Sequence, residues 1–132
     1  MKRFFSFLLI VLILQACTSS EKEKIQRLLV QREEAFQKKN LALYLSCISK
    51  DYQDKDEVFE KLKNRISGYF ETFDRIDYSA WDRSIQIDRK NATAIQQYRI
   101  EVEKKAKKSQ FVGREILHLH KEGGEWKIIS GL

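Results

Sequence analysis

Proline is absent from the 132 residues, glycine occurs five times and cysteine twice. The lack of the first two excludes collagen-like and low-complexity chains. Two cysteines make neither a disulfide framework nor a four-cysteine zinc site. No apolar run reaches the ~20 residues that a membrane-spanning helix needs. What is present, 42% hydrophobic and 33% charged residues, suits one packed core and is too apolar for wholesale disorder. Repeats, linkers and biased segments are missing as well.

The amino terminus is an address. Lys2 and Arg3 precede Phe4 to Leu14, a stretch in which only Ser6 is polar. A basic start followed by a short apolar run reads as an export signal over residues 1–16. Leu14-Gln15-Ala16-Cys17 comes next and resembles the lipobox of bacterial lipoproteins, with Gln15 the less usual element. That resemblance implies a diacylglyceryl group on the Cys17 sulfur, cleavage before Cys17, and acylation of the new amino terminus. One acyl chain anchors marginally and several hold firmly, so residues 17–20 become a short tether to a membrane. An ordinary signal peptide with a chance cysteine is the plainer alternative. Thr18, rather than Asp, resembles the enteric pattern released to the outer membrane. The expected location is therefore the cell envelope, lipid-anchored and facing the periplasm.

Removing Lys2 and Arg3 takes the 25 basic residues to 23 against 19 acidic ones, a net of +4 rather than +6. An exported chain meets little nucleic acid, so anionic headgroups or cell-wall polymers are the expected counter-charges. Lys104, Lys105, Lys107 and Lys108 crowd one turn and are candidates for contact with anionic lipid. A solvated tip is the alternative.

Residues 21–132 read as one domain. Ser20 and Glu23 have capping-box spacing ahead of Ile25, Leu28, Leu29, Arg32, Ala35 and Phe36, which predicts a helix from about Glu21 to Lys39. Asn40 suits the N-cap of a second helix carrying Leu41, Tyr44, Leu45 and Ile48. Asp54 and Glu57 repeat the capping spacing before a third stripe from Phe59 to Phe73, in which Gly68 suggests close packing. Beyond Phe73 the period becomes 2. Ile76, Tyr78 and Ala80 share one parity while Trp81, Ile85 and Ile87 share the other, which predicts a bulge near Ala80. A turn at Lys90-Asn91, a lysine-rich tip and Gly123-Gly124 separate three further strands. Three helices on the concave side of a curved antiparallel sheet make an α+β fold.

This order of elements, with Asn40-Leu41-Ala42-Leu43-Tyr44 leading to Asp51-Tyr52 and a terminal Gly124-Glu125-Trp126-Lys127-Ile128, resembles the NTF2-like superfamily of nuclear transport factor two and ketosteroid isomerase. The resemblance implies a pocket between helices and sheet. Its members include isomerases, dehydratases, hydrolases, binding proteins and assembly domains, so the fold leaves function open. The ketosteroid isomerase pattern of a carboxylate base with oxyanion donors has no residue-by-residue match here.

Candidate pocket residues are Tyr98 and Gln96 on one strand, Glu115 on the next, and Tyr52, Tyr69, Tyr78 and Trp126 as aromatic lining. Glu115 near a tyrosine is a candidate acid/base pair, against the plainer reading of a packed aromatic core. His118 and His120 share a strand face and form a weak metal candidate; two imidazoles on the outer surface are the plainer account. Asp51, Asp54, Asp56 and Glu57 lack the spacing of a calcium loop and fit a helix start. Cys47 reads as a buried structural thiol. No cofactor is expected. The leading expectation is a non-catalytic module binding a small ligand or an envelope protein, dimeric through the outer sheet face. The alternative is a pocket enzyme with Glu115 as base.

Overall fold

The computed structural model describes residues 2–132, with side chains described from Ser20 onward. The expected signal peptide over 1–16 and the expected lipidation of Cys17 turn on side chains outside the described ones. Among the described residues, no helix is long and apolar enough to cross a membrane.

Helix α1 (Lys2–Lys38) carries Ile25, Leu29, Arg32, Ala35 and Phe36 on its buried stripe. Ser20 and Glu23 lie inside this helix rather than at its start, because no Pro or Gly stands ahead of them to end it. Asn40 caps α2 (Leu41–Ser46) as expected, its Oδ1 accepting from Leu43 N at 3.0 Å.

The start of the third helix differs from expectation. Residues 53–58 form a small hairpin of β1 (Gln53–Asp54) and β2 (Glu57–Val58), and α3 (Phe59–Thr72) begins after it without a side-chain cap. Asp54 and Glu57 have other partners: Asp54 Oδ2 accepts from Gly131 N at 3.3 Å, and Glu57 binds Arg65 at 2.7 and 2.8 Å. Phe59, Leu62, Ile66 and Phe70 bury the stripe of α3. Gly68 faces open space, with nothing within 4 Å of where a Cβ would stand, so close packing does not explain it.

Four long strands follow as an antiparallel meander: β3 (Arg75–Asp88), β4 (Asn91–Lys104), β5 (Lys107–Glu122) and β6 (Glu125–Ser130). The bulge falls between Trp81 and Ser84, with Asp82 at φ 52°. Trp81 therefore stands before it and remains 42% exposed, while the extra residue turns Arg83, Ile85 and Ile87 inward. The β3–β4 turn is at Arg89-Lys90, one residue earlier than read, and β5 starts at the lysine tip itself. Residues 47–49 cover the edge of β6 through Ile128 N to Cys47 O and Ser49 N to Ile128 O, both 2.9 Å. This bracing fixes the helices over the concave face.

Candidate functional site

A cavity of about 400 Å³ lies between the helices and that concave face. Its inner end is built where α1 crosses the sheet. Arg32 sits at a stripe position, so helical geometry drives its guanidinium into the core, where only 4% of the residue is exposed. Glu115 on β5 meets it in two prongs, Nη1 to Oε1 at 2.9 Å and Nη2 to Oε2 at 3.2 Å. Tyr78 Oη donates to the same Glu115 Oε1, and Gln96 Nε2 donates to it at 2.6 Å. Tyr78 Oη in turn accepts from Arg32 Nη1 at 3.3 Å and Gln96 Nε2 at 3.2 Å.

Behind this floor, Arg83 Nε donates to Gln96 Oε1 at 2.6 Å and its guanidinium pairs with Glu33. The bulge that turns Arg83 inward thus fixes the Gln96 amide. A hydroxyl has one proton and two lone pairs, so Tyr78 is fully used. Arg32 Nε is the one buried side-chain polar atom left without a partner among the described residues.

Burial alone would raise the Glu115 carboxyl. The Arg32 charge and the hydrogen bonds from Arg32, Tyr78 and Gln96 outweigh it and hold the group below the usual carboxylate range. Burial pushes the Tyr78 phenol up. An ionised carboxylate held low by an ion pair and four donor bonds is a weak proton acceptor, and a phenol that titrates high and already donates is a weak acid.

The walls are aromatic and aliphatic. Phe36, Tyr78 and Tyr98 stack as a column, with centroids 5.2 Å and 6.0 Å apart and planes within 10° and 4°. Tyr44 closes the α2 side, and Ile76, Ile100 and Val102 floor the outer part. At the mouth stand Tyr69 and Phe111, 41% and 60% exposed, with Phe73 and Arg65.

The structure brings together four of the residues expected to line a pocket, Tyr69, Tyr78, Tyr98 and Glu115. Gln96 stands behind them as a buried support. Tyr52 and Trp126 are elsewhere. Tyr52 is buried under the chain end, its hydroxyl 3.3 Å from Leu132 N, and burial pushes its phenol up to about 12. Trp126, buried on β6, donates from Nε1 to Glu21 Oε2 on α1 at 2.7 Å. Neither lines the cavity: Tyr52 is held at the chain end and Trp126 against Glu21.

His118 and His120 lie 3.5 Å from Thr93 Oγ1 and 2.8 Å from Asn91 Oδ1 through Nδ1. No group of three metal-ligating side chains occurs among the described residues. Cys47 is buried, with Sγ 3.6 Å from Leu43 O and 3.7 Å from Leu28 O. The four lysines do not share a side: Lys104, Lys105 and Lys107 border a depression with Phe73 and Val102, whereas Lys108 lies on the other parity, 4.0 Å from Glu101.

Sequence reasoning missed Arg32 as a site residue. Its signal was visible, since a lone arginine inside an apolar stripe needs a buried acidic partner.

No protein-family model matches the chain, and no curated protein matches it in sequence. Solved structures match it in shape. A candidate scytalone dehydratase from Novosphingobium aromaticivorans has TM-score 0.79 at 12% identity, over 89% of this chain and 85% of that one. An NTF2-like superfamily protein from Salmonella enterica serovar Typhimurium has TM-score 0.75 at 16% identity, covering 86% and 92%. A candidate calcium/calmodulin-dependent protein kinase II association domain from Xanthomonas campestris has TM-score 0.68 at 18% identity, covering 81% of each. The fold is the NTF2-like α+β cone, and identities this low carry the fold alone.

Proposed function

We propose that the chain is a lipid-anchored protein of the cell envelope whose domain over 21–132 binds a small apolar ligand in the cavity and does no chemistry on it. One observation carries the binding reading: a 400 Å³ cavity has apolar walls and an inner end whose carboxylate already accepts four hydrogen bonds from Arg32, Tyr78 and Gln96. Such a site offers volume and shape with no poised base. The anchor rests on the lipobox-like Leu14-Gln15-Ala16-Cys17. A second copy on the outer sheet face belongs to the same reading, since Trp81, Val112 and Ile116 stay 42%, 61% and 43% exposed there.

Catalysis is the second reading, favoured by an open cavity in which the Glu115 carboxylate and the Tyr78 phenol converge. It requires a ligand that displaces Arg32 or Gln96 from Glu115.

The anchor is tested by labelled fatty acid in growing cells. Cys17→Ser should lose the label and leave uncleaved precursor; continued labelling overturns it. The cavity is tested by thermal unfolding of the full chain in zwitterionic nanodiscs with uncharged apolar compounds. A concentration-dependent rise in Tm that disappears in Ile100→Trp supports binding. No rise, or one that Ile100→Trp leaves intact, rejects it.

A further inference from the structure

The cavity continues past its aromatic mouth. Phe73 and Val102 line it and also line the neighbouring depression bordered by Lys104, Lys105 and Lys107. Register explains the continuity. Tyr98, Ile100, Val102 and Lys104 alternate onto one face of β4, and their partners on β5 are Gly113, Phe111, Ser109 and Lys107. Tyr98 to Lys104 is six steps along the strand, a track of ~20 Å.

Three cations stand against one nearby carboxylate, Asp74, at the end of that track. Lys105 and Ala106 form the turn, at φ 49° and 63°, and so set Lys104 directly opposite Lys107. Like charges directly opposite on a sheet repel. Among the described residues none of the three lysines is in an ion pair; the nearby Asp74 carboxylate accepts the Lys105 backbone N–H at 2.8 Å. Other cations of the cavity are committed, Arg32 to Glu115 and Arg65 to Glu57. An anion is therefore favoured at the outer end and an apolar group along the track.

We propose that the ligand is a single-chain anionic amphiphile, a fatty acid, with its chain along Tyr98, Ile100 and Val102 and its carboxylate on Lys104, Lys105 and Lys107. This rests on the reading that the cavity binds a small ligand. The test uses the full chain in zwitterionic nanodiscs and a fatty acid carrying a diazirine at its chain end, with cross-links mapped by mass spectrometry. The label should fall on cavity residues. Laurate should displace it at least about tenfold better than dodecanol or dodecyltrimethylammonium. The Lys104→Gln/Lys105→Gln/Lys107→Gln protein should lose that preference, and Lys108→Gln should keep it.

Equal displacement by the three amphiphiles, with the cavity still labelled, overturns the acid head and leaves ligand binding standing. A triple variant that keeps the laurate preference but loses affinity for anionic nanodiscs assigns the tip to the bilayer surface and also overturns it. Absence of cavity label, together with no Tm response to uncharged compounds, rejects both readings.

Discussion

Arg32 on α1 and Glu115 on β5 form a two-pronged ion pair across 83 positions of sequence, with side chains only 5% and 10% exposed. Removing one partner of a buried pair strands the other's charge, at a cost of about 3–5 kcal/mol, whereas replacing both with apolar residues can be nearly neutral. Arg32→Met and Glu115→Gln should each destabilise by that amount in denaturant unfolding. Arg32→Met/Glu115→Leu should recover part of the loss, because the Tyr78 hydroxyl is then left without its acceptor. Single variants within about 1 kcal/mol of the parent would mean the pair is solvated and does not organise the floor.

Acid should weaken the fold in a defined window. Hydrogen bonds from Lys121, Lys24 and Trp126 lower the Glu21 carboxyl to about 2. Glu115 is also held low: burial raises it, but Arg32 and its other donors prevail. A depressed folded pKa means that the unfolded chain takes up protons first as pH falls. The stabilisation is complete above the unfolded carboxylate value of ~4.3 and is lost below it. Stability should therefore fall between about pH 4.5 and 2. Glu21→Gln should flatten part of that slope, and Trp126 fluorescence should shift as Glu21 protonates. An unchanged slope in Glu21→Gln would refute the assignment.

Cys47 should be inert in the native state. Burial raises its thiol pKa, and the residue is 1% exposed, so little thiolate forms and reagents cannot reach it. Maleimide labelling of the full chain, corrected for any signal at Cys17 with the Cys47→Ala variant, should track unfolding. Rapid native labelling at Cys47 would place a reactive thiol at the α1–α2 contact.

Local signals in the sequence wrote most of the fold. The stripes of α1 and α3, the Asn40 cap and the parity change before Ile85 were each readable from a few neighbouring residues. The start of α3 was not. Asp54 and Glu57 have the spacing of a cap, but Gly131 and Arg65 bind them, and only the folded chain brings those partners near. The site divides in the same way. Tyr78, Tyr98 and Glu115 follow from strand alternation, while Tyr52 and Trp126 looked equivalent because an aromatic residue carries no mark of which part of the core it will fill. Arg83 required the bulge position to within one residue, since a shift by one would have turned it outward.

The last expectation concerns Gly113, which lies opposite Tyr98 in the β4–β5 register. Here the need is for space rather than backbone freedom. A Cβ at this position would stand 2.9 Å from Tyr98 Oη and 3.0 Å from two ring carbons, so the ring must move. Any movement disturbs its stacking on Tyr78 and takes volume from the cavity. Alanine in a strand is worth about 0.5–1 kcal/mol over glycine, and overpacking costs about 1–3 kcal/mol. Gly113→Ala should thus come out destabilised by about 1 kcal/mol and should reduce the ligand-induced rise in Tm. In a Tyr98→Leu background the clash is gone, and the same substitution should turn neutral or stabilising. If Gly113→Ala matches the parent in stability and ligand response, the Tyr98 ring has room to yield, and the column Phe36–Tyr78–Tyr98 is not what shapes the cavity.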